Sequence, residues 1–275
     1  MSKPSIKEVR ERFIAPPGEK FDLSSRDSGD RKLFPDKKHA RKCLQEDAGV
    51  IDEHQDLLYA TQKKAVLVVI QGMDTAGKSG TIRNVFAQTT PLGMTVKAFK
   101  APTKEELAHD YLWRVHNAVP KKGFIGIFDR SHYEDVLVVK VRGFAPPEAV
   151  EQRYDQINQF EKHLSENGVR IVKFMLHLGY EEQGIRLKER ITEPHKRWKF
   201  NPADLDDRKM WPDFMKAYED MVERCSTEWA PWYVIPADSR TRRNAAIARI
   251  LRGELEGLGL EWPDPGYKLE DFDFS

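Results

Sequence analysis

Cysteine is nearly absent: Cys43 and Cys225 are the only two, and they stand far apart. That excludes a disulfide framework and any Cys-based metal or redox spacing, so each is read as a buried or unpaired structural thiol in a reducing, cytoplasmic setting. Long apolar runs are missing too. The densest, Ala65–Ile70, is far short of the ~20 residues that cross a bilayer, and the polar stretch Met1–Phe13 lacks the apolar core of a signal peptide. No membrane partner is therefore expected. Charge of one sign is not in excess: 45 Lys and Arg face 44 Asp and Glu, a formal net charge of +1. A strongly basic nucleic-acid binder is thereby disfavoured, and any polyanion site must be a local concentration of positive charge. There is no internal repeat and no low-complexity tract.

The sequence does hold an alternation of short apolar runs and amphipathic stretches. AVLVVI at 65–70 is continuous and rich in β-branched residues, as in a strand covered on both faces. Further strands are expected at Thr95–Phe99, Phe124–Phe128, Val169–Leu176 and Trp232–Ile235. Helices are expected at Lys37–Ala60, Lys78–Gln88, from Thr103 with its capping box to Glu106, Glu148–Glu166, Glu181–Ile191, Asp207–Arg224 and Ser239–Leu258. Strands alternating with helices imply a doubly wound α/β domain on a five-stranded parallel sheet. Residues 1–36, with Pro4, Pro16, Pro17 and Gly18, read as an irregular arm wrapping the domain or a partner subunit. Residues 37–262 form the domain, and 263–275 an acidic, extended tail. The aromatic residues Trp211, Phe214, Tyr218, Trp229, Trp232 and Tyr233 read as core.

Three segments carry chemistry. Gly72-Met73-Asp74-Thr75-Ala76-Gly77-Lys78-Ser79 matches the phosphate-binding pattern G-x-x-x-x-G-K-[ST] between a strand and a helix. Backbone amides from Gly72, Ala76, Gly77, Ser79 and Gly80 would converge on phosphate oxygens, aided by the helix N-terminus. Lys78 would neutralise the transferring group, and Ser79 would reach a Mg²⁺ ion. A carboxylate is unusual in such a cradle, so Asp74 is either a metal ligand, a base for the attacking oxygen, or a simple acceptor of loop amides. Second, Asp129-Arg130-Ser131-His132-Tyr133-Glu134-Asp135 follows a strand at its carboxyl end, where ligands gather in open α/β sheets. Asp129 is placed as a second metal-holding acid and Arg130 as a phosphate grip, with Glu134 and Asp135 adding acid nearby; His132 is equally well explained by an internal hydrogen bond. Third, Arg186, Lys188, Arg190, His195, Lys196, Arg197 and Lys199 form a basic stretch offset locally by Glu189 and Glu193. It is either a solvated helix face or a mobile lid, at about residues 184–210, whose arginines clamp phosphoryl oxygens. Trp198 and Phe200 are expected to anchor the lid's base, or one of them to stack on a nucleobase.

Taken together, GMDTAGKSGTIR, DYLWRVH (Asp110–His116), FDRSHYEDVLV, KERITEPHKRWKF (Lys188–Phe200) and STEWAPWYVIPAD (Ser226–Asp238) resemble the polyphosphate kinase 2 family over roughly residues 38–262. The resemblance implies a thymidylate-kinase-like P-loop fold with a helical lid. It implies Mg²⁺-dependent, reversible phosphoryl transfer from inorganic polyphosphate to AMP, ADP or their guanine equivalents, and a homodimer or homotetramer. By the same likeness Asp74, Lys78, Arg130, Arg190 and Arg197 are catalytic, Lys196 and Lys199 bind phosphate, and Asp74, Asp135 and Asp129 hold the metal. Related sequences often carry Asn where Asp129 stands, so the likeness supports Asp74 and Asp135 more than Asp129. The nearest alternative is an ATP-dependent nucleoside monophosphate kinase, which shares the P-loop and lid. A guanine-nucleotide switch is disfavoured, because no Asn-Lys-x-Asp motif occurs.

Overall fold

The computed structural model describes residues 3–268, 270 and 272. Five strands, β1 (Ala65–Gln71), β2 (Met94–Ala98), β3 (Ile125–Asp129), β4 (Val169–His177) and β5 (Trp232–Pro236), form one sheet in the order β2-β3-β1-β4-β5. Every adjacent pair is parallel. All seven residues of β1 are buried, as its unbroken apolar run requires of a central strand. Its side chains alternate between two cores. Val66, Val68 and Ile70 pack on one face, while Leu67 and Val69 pack on the other. Strand β2 is the exposed edge, which explains its weak apolar pattern.

The first core is covered by α2 (Lys37–Thr61), α3 (Lys78–Val85) and α11 (Arg240–Glu256). The second is covered by α7 (Pro147–Glu166) and α10 (Trp211–Cys225). Short helices α4 (Lys104–Leu107), α5 (Trp113–His116) and α6 (Val138–Val141) fill connections; α8 (Tyr180–Thr192) and α9 (Ala203–Lys209) flank a six-residue 3₁₀ segment, Pro194–Lys199. From β1 the chain winds toward one edge of the sheet, and from β3 and β4 it winds toward the other. The crevice lies at this reversal, outside the carboxyl ends of β1 and β3. Among the described residues no helix is long and apolar enough to cross a membrane.

Several boundaries differ from expectation, each for a local reason. The arm is not irregular throughout. Residues Ile6–Phe13 form helix α1, opened by a Ser5–Glu8 capping box that the surrounding prolines obscure in the sequence. Val9 and Phe13 are buried, and Ala15 donates to the carbonyl of Trp232 (2.8 Å), so the arm wraps its own domain. Farther along, Glu223 and Glu219 on α10 accept from the backbone of Phe21 and Leu23. The single helix expected over 207–224 is two, broken at Met210. Pro212 is tolerated only in the first turn of α10, so one helix cannot run through it. The helix from Thr103 is a single turn, although its capping box forms as read. Both cysteines are buried and unpaired. Of the tail read as extended, residues 261–265 have neither helix nor strand, while 269, 271 and 273–275 lie outside the described residues.

Candidate phosphate-binding site

The loop after β1 is shaped by close packing. Gly72 has φ +152°, and a Cβ there would meet the Leu176 carbonyl at 2.9 Å. Gly77, at φ +101°, serves as N-cap of α3. The first-turn amides of α3 open into a cleft of about 470 Å³, with the N-terminal end of the helix dipole behind them. Three non-glycine residues have positive φ among those described, and two are here: Thr75 (67°) and Arg130 (64°). Backbone strain of this kind persists where surrounding structure enforces it.

Lys78 is buried, its Nζ donating to the carbonyls of Gly72 (2.6 Å) and Met73 (3.3 Å). Burial, then the charge of Arg130, pulls the ammonium below its ordinary value against the attraction of Asp74, Asp129 and Glu134. Ser79 donates to Asp129 across 3.0 Å, which joins the loop to the end of β3. Arg130 donates to Asp74 at 2.7 Å. Burial works against ionisation of Asp74, but Lys78, Arg130 and Arg190 outweigh it and hold its carboxyl below the usual range. Ser79, Asp129 and Asp74 thus supply hydroxyl and carboxylate oxygens at one mouth, the donor set suited to a hard cation such as Mg²⁺. No group of three or more His, Cys, Asp or Glu that could cage a metal occurs among the described residues.

The far wall is the segment expected to be a lid. Arg190 donates to Asp204 (2.8 Å) and Lys196 bridges Glu189 (2.9 Å) and Glu193 (2.8 Å), while Arg240 on α11 also holds Glu189 (2.8 Å). Together the cleft is lined by nine Lys and Arg side chains against three carboxylates, Asp74, Asp129 and Glu189. A chain of net charge +1 thus gathers nine of its 45 Lys and Arg around one cleft.

The site residues read from sequence divide accordingly. Asp74, Gly77, Lys78, Ser79, Gly80, Asp129, Arg130, Arg190, Lys196 and Lys199 line the cleft. Ala76 supports the loop from within, its amide donating to Met73 (3.0 Å) in place of pointing at a ligand. Arg197 is turned away, its Nε donating to the Ile191 carbonyl (3.0 Å). Asp135 does not reach the cleft: it accepts from Arg153 at 3.1 Å, with Arg114 as a further cationic neighbour. The reason is the 3₁₀ turn His132–Asp135, which rotates successive side chains by about a third of a circle. Glu134 takes the other direction, toward Arg130, Lys78 and Asp74, and burial pushes its carboxyl up. With its amide oriented to satisfy both neighbours, Gln71 donates to Glu134 (3.0 Å).

Other expectations resolve into structural roles. Arg186 is a strut. It donates to the carbonyls of Thr75 (3.0 Å), Ala237 (2.8 Å) and Asp238 (2.9 Å), tying the loop to the end of β5. His132 bonds Glu161 (3.1 Å), which bonds buried Lys173 (2.6 Å), so the internal hydrogen-bond reading holds. Trp198 does not anchor the lid; it is 79% exposed. Three cations of the lining went unread in sequence: Lys100, just beyond the edge strand β2, and Arg240 and Arg243, because a helix 17 residues long and patterned for burial shows no phosphate signal.

A parallel sheet in this order, with a phosphate loop, an Asp at the end of β3 and a basic wall, defines a P-loop phosphotransferase of the nucleotide-kinase class. The family model for polyphosphate kinase 2 matches residues 34–259, and the chain belongs to that family. It is 46% identical over 255 residues to an AMP/ADP-polyphosphate phosphotransferase of Meiothermus ruber, covering 92% of this chain and 96% of that protein. It is 40% identical over 259 residues to an ADP-polyphosphate phosphotransferase of Rhodopseudomonas palustris, covering 90% of each. The solved structure of polyphosphate kinase 2 from Arthrobacter aurescens TC1 superposes with a TM-score of 0.92 at 38% identity, covering 98% of this chain and 95% of that one.

Proposed function

We propose that this chain transfers the terminal phosphoryl group of inorganic polyphosphate to AMP or ADP, with Mg²⁺. The observation that carries the reading is the cleft's nine cations against three carboxylates, extending from the P-loop along the lid segment. A polyphosphate chain bears about one negative charge per internal phosphate and needs cations beyond those for the reacting group. The bond between the terminal phosphorus and its bridging oxygen breaks as a new bond forms to an acceptor phosphate oxygen. Little covalent work falls to the protein, since positioning and charge neutralisation dominate such transfers. The α3 amides and Lys78 hold the phosphoryl oxygens, Arg130 grips them from the end of β3 and Arg190 from the lid wall. Asp74, Asp129 and Ser79 are the residues that would hold Mg²⁺, whose chemistry is to neutralise charge on the phosphates. The deciding assay supplies the wild-type protein with AMP or ADP and either long-chain polyphosphate or ATP as sole donor. Transfer from polyphosphate without ATP is the expected result. Efficient transfer from ATP with none from polyphosphate would replace this reading with the monophosphate kinase.

The lid's counter-ions make the site sensitive to pH. Burial, then the charge of Asp74, raises the Asp204 carboxyl to about 6, against Arg190 and Arg130. A raised acid contributes stability fully below its unfolded value, 3.8, and loses it as pH rises through about 6. As pH falls through 6, Asp204 takes up a proton and leaves Arg190 to the phosphates. Inorganic tripolyphosphate should therefore bind the wild-type protein about fivefold more tightly relative to Asp204→Asn at pH 5.5 than at pH 7.5. Binding titrations at both pH values test this; parallel profiles for the two proteins would refute it.

A further inference from the structure

Arg243 lies directly beneath the phosphate loop. Its Nη1 donates to the carbonyl of Ala76 at 2.6 Å, and its Nε and Nη2 donate to the side-chain oxygen of Asn244 at 3.1 and 2.9 Å. A Cβ on Gly77 would fall 2.2 Å from Nη1, and one on Gly80 3.7 Å from Nη2, so the guanidinium sits under the first turn of α3. It is 2% exposed, and that remnant lines the cleft.

Its acceptors are neutral. Arg186 has Glu182 and Arg240 has Glu189, but Arg243 has no carboxylate partner among the described residues. Its charged neighbours are those same two arginines, and burial and their like charge both oppose its protonation. An arginine nevertheless keeps its proton in a protein, so the conflict is borne as instability of the empty site. A helix N-terminus above it attracts anions, and an anion held there lies next to an otherwise uncompensated buried charge.

We propose that Arg243 is a positioning residue whose counter-charge is the phosphate held by the P-loop, so that anion binding and stability of the fold are coupled through it. The inference rests on the preceding reading only in taking the P-loop as the phosphate site. It does not depend on which donor supplies the phosphoryl group, so a binding experiment separates its failure from that of the donor assignment.

The test gives Arg243 an internal counter-ion. Asn244→Asp places a carboxylate where the amide oxygen already accepts from Nε and Nη2. The free protein should melt about 2–4 °C higher, and its dissociation constant for inorganic tripolyphosphate should rise at least about tenfold. An added charge that merely repelled the anion would weaken binding without raising the melting temperature. The companion Arg243→Gln removes the charge and keeps a planar amide donor; it too should bind tripolyphosphate at least about tenfold more weakly than wild type. Unchanged tripolyphosphate affinity in Asn244→Asp, or a lower melting temperature of that variant without ligand, would overturn the proposal.

Discussion

Lys78→Ala is expected to lower turnover by about a thousandfold while leaving the melting temperature within about 2 °C of wild type. Lys78 supplies a positive charge that the reacting phosphates need most where charge gathers in the transition state. Its fold-level bonds are two carbonyls within its own loop, Gly72 and Met73. Its burial pulls the ammonium below the ordinary value, so the folded state gains little from the charge. Removing the side chain thus costs catalysis far more than stability. Steady-state kinetics beside a thermal melt separate the two, and near-normal turnover in a well-folded variant would refute a P-loop role in transfer.

Asp74→Asn is expected to reduce turnover by about a hundredfold or more and to raise the Mg²⁺ concentration needed for half-maximal rate. The carboxylate is held ionised by Lys78, Arg130 and Arg190 and accepts directly from Arg130 at 2.7 Å. Asn keeps the shape and removes the charge that would ligate the cation and orient the guanidinium. Asp129→Asn should shift the Mg²⁺ requirement in the same direction, because Ser79 donates to that carboxylate. Asp135→Asn is the contrast: it faces Arg153, and its turnover should stay within about threefold of wild type with an unchanged Mg²⁺ titration. A Mg²⁺ dependence altered in Asp135→Asn but not in Asp74→Asn would reverse the assignment of the acids.

The phosphate loop was legible because its determinants are contiguous. An apolar strand, two glycines at fixed positions, a lysine and a helix start all lie within Ala65–Val85, and local sterics suffice to build them. Four of the five strands were legible for the same reason, each being a short run whose burial is written into its side chains, whereas the exposed edge strand β2 carries only a weak pattern. Legibility fell where direction around a turn mattered. Glu134 and Asp135 are neighbours of like chemistry, yet one faces Lys78 and the other Arg153. The basic stretch from Arg186 to Lys199 read either as a solvated helix face or as a lid whose arginines clamp phosphoryl oxygens. It contains a strut (Arg186), a residue bonded back to its own segment (Arg197) and cations held by acids (Arg190 and Lys196).

The sequence by itself determined the fold class, the family, the phosphate loop and the identity of most cations around it, because these depend on periodicity and on motifs read along one stretch of chain. Only the tertiary structure decided which charges share the cleft. Arg243 reaches Ala76 across 167 positions, and Ser79 meets Asp129 across 50. Such pairings are set by the strand order and by the packing of α11 against α3, β4 and β5. Coulomb energy depends on distance in space and on burial, and neither is a property of separation along the chain.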